Sequence, residues 1–128
     1  MKEIQLAHGG GGEEMNELIG KIFSTFDNQI LKEANDAALF DGFALSTDSF
    51  TLSPIFLDDE VNIGKLCVCG SVNDVLMVGA KPLYMSLAFI IEEGFSFSSF
   101  EKILNSIKKE SEKIGVKIVC GDTKVVPK

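Results

Sequence analysis

The stretch Asn62 to Lys81, NIGKLCVCGSVNDVLMVGAK, constrains this chain most. It is apolar nearly all round at helical spacing, and a helix of that kind has to be covered on every side. It reads as a buried helix over 62–79 that tolerates Gly64 and Gly70, with Pro82 as its stop. At 128 residues and 45% hydrophobic content, one domain with one core is expected. The other segments must therefore wrap this helix.

Those segments have distinct periodicities. Residues 4–8 look extended. A first helix is predicted over 13–25, with Met15, Leu18, Ile19, Ile22 and Phe26 on one face. Residues 36–40 and 43–48 read as short strands joined by Asp41-Gly42, a hairpin signal. Residues 50–56 continue extended towards Pro54, and 83–92 is the longest strand candidate. Ser98 and Glu101 form a capping box that opens a helix ended by Gly115. That helix carries Phe100, Ile103, Leu104, Ile107 and Ile114 on its apolar stripe. Residues 116–121 form a last strand. The order predicts an α+β fold, a sheet with helices on one face. Apolar residues at both parities of 43–48 and 83–91 call for a cover on the other face, which dimerisation would supply.

Composition narrows the function. There are 19 acidic and 12 basic residues, a net charge of −7, and every basic residue is lysine. That balance argues against nucleic acid as a partner. No apolar run reaches the ~18 residues of a membrane span. The N-terminus lacks the apolar core of a signal peptide. Three cysteines do not make a disulfide framework, so a reducing, cytoplasmic setting is expected. Cys67, Cys69 and Cys120 read as small buried apolar residues, and His8 as a loop histidine.

Four aspartates stand in apolar or small-residue surroundings: Asp36 in NDAAL, Asp48 in STDSF, Asp74 in VNDVL and Asp122 in CGDTK. Burying a carboxylate costs several kcal/mol, on the order of a lost ion pair, unless it is paired or binds a cation. Three of the four are expected at strand ends, where side chains converge. Hard oxygen donors with a single histidine point to Mg rather than Zn. Each aspartate taken singly also fits a turn or helix cap. The run Gly9-Gly10-Gly11-Gly12 before the first helix offers unencumbered amides to phosphate oxygens. No Gly-Lys-Ser/Thr follows, and Glu14 stands where a dinucleotide fingerprint has its third glycine. With no arginine, Lys65 and then Lys124 are the cationic candidates for phosphate.

Five stretches carry a resemblance: HGGGGEEMNELI, NDAAL, STDSFTLSPIF, NIGKLCVCGSVNDVLMVGAKPLYMSLAFIIEEGF and IVCGDTKVV. In them the chain resembles the HypE family of hydrogenase expression/formation proteins. That family belongs to the superfamily of aminoimidazole ribonucleotide synthetase, selenophosphate synthetase and thiamine-monophosphate kinase. The resemblance implies an N-terminal domain of the aminoimidazole ribonucleotide synthetase type. Its mixed four-stranded sheet has helices on one face, and two subunits' sheets pair into a β-barrel in a homodimer. It implies ATP and Mg as cofactors, with Asp36, Asp48, Asp74 and Asp122 as the Mg-nucleotide aspartates. Gly9–Gly12 match the phosphate-covering segment, and Lys65, Asn73 and Thr123 match neighbouring nucleotide-binding positions. Asn35 departs from relatives that carry a second acid there.

The implied activity is ATP-dependent dehydration of a carbamoyl group on the protein's own C-terminal cysteine, giving a thiocyanate for the iron of NiFe hydrogenase. A carbamoyltransferase and an iron-carrying scaffold are the implied partners. The implied second domain and acceptor-cysteine tail lie outside these 128 residues, so the chain is expected to be an N-terminal domain, inactive alone. Two other readings stand beside this one. The chain could be a dimerisation module without nucleotide, or the corresponding domain of another superfamily member such as a small-molecule kinase.

Overall fold

The computed structural model describes residues 3–52, 58 and 61–128. Four α-helices and four strands are present among them: α1 (Glu13–Thr25), α2 (Gln29–Lys32), β1 (Ala38–Phe40), β2 (Phe43–Leu45), α3 (Ile63–Met77), β3 (Tyr84–Glu92), α4 (Phe97–Ile114) and β4 (Lys117–Val126).

The centre of the fold is the unit β3–α4–β4. β3 and β4 pair in parallel, so the chain must cross over between them, and α4 is that crossover. Met85, Leu87 and Phe89 point from β3 into the core, where Val68 and Val72 of α3 meet Ile103 and Ile107 of α4 and Val116. Each such buried side chain contributes roughly 1.5–3 kcal/mol. Phe89 and Phe100 add an edge-to-face contact at 5.0 Å between ring centroids, which fixes α4 on β3.

The helix ends have local causes. Asn62 caps α3, its side-chain oxygen accepting from the Gly64 amide at 2.9 Å. α3 stops at Met77, short of Pro82, because Gly79 takes φ 75° and the next two amides turn back. Gly79 N–H donates to Leu76 and Ala80 N–H to Val75, which satisfies the last carbonyls. Gly115 (φ 82°) ends α4 with the same pair of bonds, as expected. Its start differs from expectation. Ser96, not Ser98, is the cap, accepting from Ser99 N–H at 3.3 Å, while Ser98 bonds the Ser96 hydroxyl at 2.7 Å. The cap lies two residues earlier, so Glu101 is out of register for a capping box.

Other expectations are corrected. Residues 4–8 are not extended. Leu6–Gly9 form a 3-10 turn, closed by the Gln5 amide donating to His8 Nδ1 at 3.1 Å. α2 carries no apolar periodicity and went unread; Asn28 caps it through the Leu31 amide. α1 has the predicted bounds, yet none of its residues is buried. The Asp41-Gly42 hairpin forms as read, both residues at positive φ (50° and 79°).

The mixed four-stranded sheet is not present among the described residues. There are two two-stranded sheets, antiparallel β1–β2 and parallel β3–β4. β1 and β2 have three residues each, and their ladder is exhausted by pairing with each other. Of the extended segment expected over 50–56, residues 50–52 have no regular structure and 53–57 lie outside the described residues. α3 is also not covered all round. Its Leu66, Leu76 and Met77 are 48%, 54% and 64% exposed. No helix among the described residues is long and apolar enough to cross a membrane.

Candidate functional site

The segment leaving β2 brings the first acid onto α3. Ser46 Oγ donates to the Ser71 carbonyl at 3.1 Å, which anchors the segment beside the helix. Phe50 and Asp48 then lie directly over Gly70. A Cβ built there would stand 2.5 Å from Phe50 Cζ and 3.2 Å from Asp48 Oδ2. Asp74 follows Gly70 by one helical turn, on the same face and half-buried. Asp48 and Asp74 are therefore brought to one side of α3. Asn73 is exposed on the adjacent face.

Asp122 is placed elsewhere. It is not at a strand end, because β4 runs to Val126 and includes it. The pairing slips by one residue between Met85↔Ile118 and Ser86↔Cys120, leaving Val119 as the extra residue of a bulge. Beyond the bulge Asp122 pairs with Ala88 and Lys124 with Ile90, so both share the sheet face away from α3 and α4. An ion pair between Lys124 Nζ and Asp122 Oδ2 confirms that they lie side by side. Thr123 pairs with Phe89 on the other face.

Asp36 is exposed, just before buried Ala37 at the start of β1. Gly9 closes the 3-10 turn, Gly10 N–H donates to the Ala7 carbonyl at 3.1 Å, and Gly11 takes φ 79°. Gly12 immediately precedes α1, and its carbonyl accepts from Asn16 N–H. The four glycines thus stand, exposed, at the positive end of a helix whose first turn holds Glu13 and Glu14. Among the described residues no three His, Cys, Asp or Glu side chains gather tightly enough to enclose a metal by themselves. Mg does not require that. It is commonly held by one or two carboxylates together with phosphate oxygens and water, and the Asp48–Asp74 side of α3 suits that donor set.

Lys65 has a protein partner that the sequence did not reveal. Its Nζ lies 4.0 Å from Glu110 of α4, and Lys113 Nζ lies 3.8 Å from the same carboxylate. Glu110 is buried, so two ammoniums offset the burial of one acid. Cys67 is half-buried and donates to the Gly64 carbonyl at 3.2 Å; burial pushes its thiol pKa up from 9.0, and the neighbouring Val68 amide only partly opposes this. It is a packing residue, as expected. Cys69 and Cys120 are exposed, contrary to expectation, the first on the bare face of α3 and the second on β4. Gly70, Ser46 and Phe50 were also missed. Their only signal was a glycine inside an apolar helix, and nothing local told which segment would lie on it.

A family model described as "AIR synthase related protein, N-terminal domain" matches residues 34–128. The chain belongs to this family. Within it, the chain is 45% identical over 128 residues to a carbamoyl dehydratase HypE of Rhizobium leguminosarum bv. viciae, covering 96% of the chain and 36% of that relative. A crystal structure of a HypE–HypF complex superposes with a TM-score of 0.80 at 48% identity, covering 91% of this chain and 37% of that one. HypE in complex with ATP superposes at 0.61 with 45% identity, over 98% and 38%. The chain thus spans little more than a third of the length of these HypE proteins. The α+β fold expected from the sequence is that of the AIR synthase related N-terminal domain.

Proposed function

We propose that this chain is the ATP- and Mg-binding, dimerising N-terminal domain of a NiFe-hydrogenase maturation protein. Its full-length parent dehydrates a carbamoyl group on its own C-terminal cysteine. The observation that carries this reading is the convergence of Asp48 and Asp74 on one side of α3, in a chain 45% identical to a carbamoyl dehydratase HypE. A similar protein has been crystallised in complex with ATP.

In this reading Asp48 and Asp74 would hold Mg on α3, while Asp36 and Asp122, which the fold sets apart from that side of the helix, are assigned to the nucleotide by the resemblance alone. When bound, Mg offsets phosphate charge and makes the γ-phosphoryl group transferable. Gly9–Gly12 contribute backbone N–H donors to the phosphates at the start of α1. Asn73 and Thr123 supply neutral polar contacts. Lys65 is an ammonium that Glu110 holds at the α3–α4 seam, and that phosphate would draw away.

The carbamoyl oxygen attacks the γ-phosphorus and the bond to ADP breaks. The activated oxygen then leaves as phosphate while the nitrogen loses its protons. Carbamoyl and ATP become thiocyanate, ADP, phosphate and one proton. The acceptor cysteine belongs to a C-terminal tail outside these residues, because Cys120 is part of β4. A carbamoyltransferase and an iron-carrying scaffold are the proposed partners, and a structure of HypE with HypF supports the first. The homodimer reading is supported by the bare face of β3, where Tyr84 and Ile90 are exposed. A reducing, cytoplasmic setting goes with it.

Calorimetry of ATP with Mg on the full-length protein tests the site. Asp74→Asn and Asp122→Asn should each weaken binding about tenfold or more. Unchanged affinity in both would overturn the assignment. Light scattering during an ATP titration of the chain tests the rest. A dimer without saturable nucleotide binding would leave only an association module.

A further inference from the structure

We infer that Gly70 is a positioning residue for the metal site: its missing side chain is the notch that lets Asp48 approach α3 beside Asp74. This rests on the reading of Asp48 and Asp74 as Mg ligands and adds how they are brought together.

A glycine in a helix interior costs about 1 kcal/mol relative to alanine, so its presence needs a compensating cause. At Gly70 the cause is contact. The space a methyl would take is bounded by Phe50 Cζ at 2.5 Å and Asp48 Oδ2 at 3.2 Å. Neither atom belongs to α3 or α4. Both come from the segment after β2, whose other tie to the helix is Ser46 Oγ on the Ser71 carbonyl. Asp48 also accepts from the Ser49 amide at 2.8 Å, which orients one of its oxygens and leaves the other, Oδ2, over the helix. The segment thus lies flat on α3 at Gly70, one turn before Asp74.

A methyl at position 70 would act on this segment and spare the helix. The atom it meets first is the far end of an aromatic side chain, which can swing away. The chain would therefore fold, with Phe50 and Asp48 lifted off α3. Stability and metal binding are expected to move in opposite directions, which a purely structural role would not produce.

The test is the Mg dependence of ATP binding by the full-length protein, with a thermal melt of each variant. Gly70→Ala should melt at or above the parent temperature. It should also raise the Mg concentration needed for half-maximal ATP binding about tenfold, as loss of a ligand-orienting group does. Asp48→Asn is the reference. If Asp48→Asn binds like the parent, Asp48 is no ligand and the underlying reading fails. If Asp48→Asn weakens Mg-dependent binding while Gly70→Ala does not, the positioning role is overturned. Should Gly70→Ala fail to fold, Phe50→Ala decides. It releases the same segment without touching the helix, and an unshifted Mg requirement there refutes the inference.

Discussion

Gly64→Ala perturbs the same helix as the change at Gly70, and the structure predicts the opposite effect on stability. At Gly64 a Cβ would stand 2.5 Å from the Ile103 carbonyl oxygen, 3.0 Å from Asn62 Oδ1 and 3.1 Å from Ile107 Cγ1. The first of these is backbone in the middle of α4, so relief requires α3 and α4 to separate. Intrinsic helix propensity favours alanine by about 1 kcal/mol. Overpacking a filled seam costs about 1–3 kcal/mol, and disturbing the Asn62 cap costs about 1 more. The net is a destabilisation of roughly 1–3 kcal/mol, or a fall of about 5–10 °C in Tm for a domain of this size. Far-UV circular dichroism melts at one fixed protein concentration measure it, with Gly70→Ala as the matched control. A Gly64→Ala protein that melts at or above its parent would refute the argument that this glycine sets the α3–α4 approach.

Asn62 is fully buried, capping Gly64 and donating Nδ2–H to the Asp58 carbonyl at 3.1 Å; Asn62→Ala should cost about 2–4 kcal/mol in urea unfolding, since both partners lose their bond. Gly121 lies just past the β4 bulge, where a Cβ would stand 2.1 Å from the Leu87 carbonyl oxygen; Gly121→Ala should part β3 from β4 and speed amide exchange in both strands, and unchanged exchange would reject this. The Cys67 thiol is raised above 9.0, so the folded chain holds that proton longer than the unfolded one. Its contribution is complete below pH 9 and is lost as pH rises above it; Tm should fall on titration from pH 8 to 10, and Cys67→Ala should flatten that decline.

What could be read from sequence was what is local. The Asp41-Gly42 turn, the bounds of α1 and the glycine stop of α4 each follow from a few adjacent residues. The Ser96 cap was missed because SFSS offers three serines within four positions, and only the packing of Phe100 on Phe89 sets the phase of the helix. β4 was read five residues short at its C-terminal end, since GDTK lacks the apolar alternation that marks a strand. The aspartates were picked out by their surroundings, and two of them, Asp48 and Asp74, come to one side of α3. The contact that lays the Asp48 segment on α3 is between Phe50 and Gly70, twenty residues apart, and no local period encodes such a distance.

α3 shows why an all-round apolar helix need not be buried all round. Residues advance by 100°, and its side chains sort into three faces. Gly64, Val68 and Val72 form the first, against α4. Gly70 and Asp74 stand on a second, beneath the Asp48 segment. Cys69, Asn73 and Leu76 make a third, which is exposed, with Leu66 and Met77 at the border between it and the second. The glycines fall on the first two faces and not on the third. Each therefore marks a place where something approaches closer than a side chain would allow: a helix at Gly64, an acid-bearing loop at Gly70. The bare third face carries ordinary side chains and no such notch. A surface that covers it would therefore rest on Leu66, Leu76 and Met77 at full side-chain distance, as a partner subunit or a further domain does, while Asp48 and Asp74 stay on the face next to it.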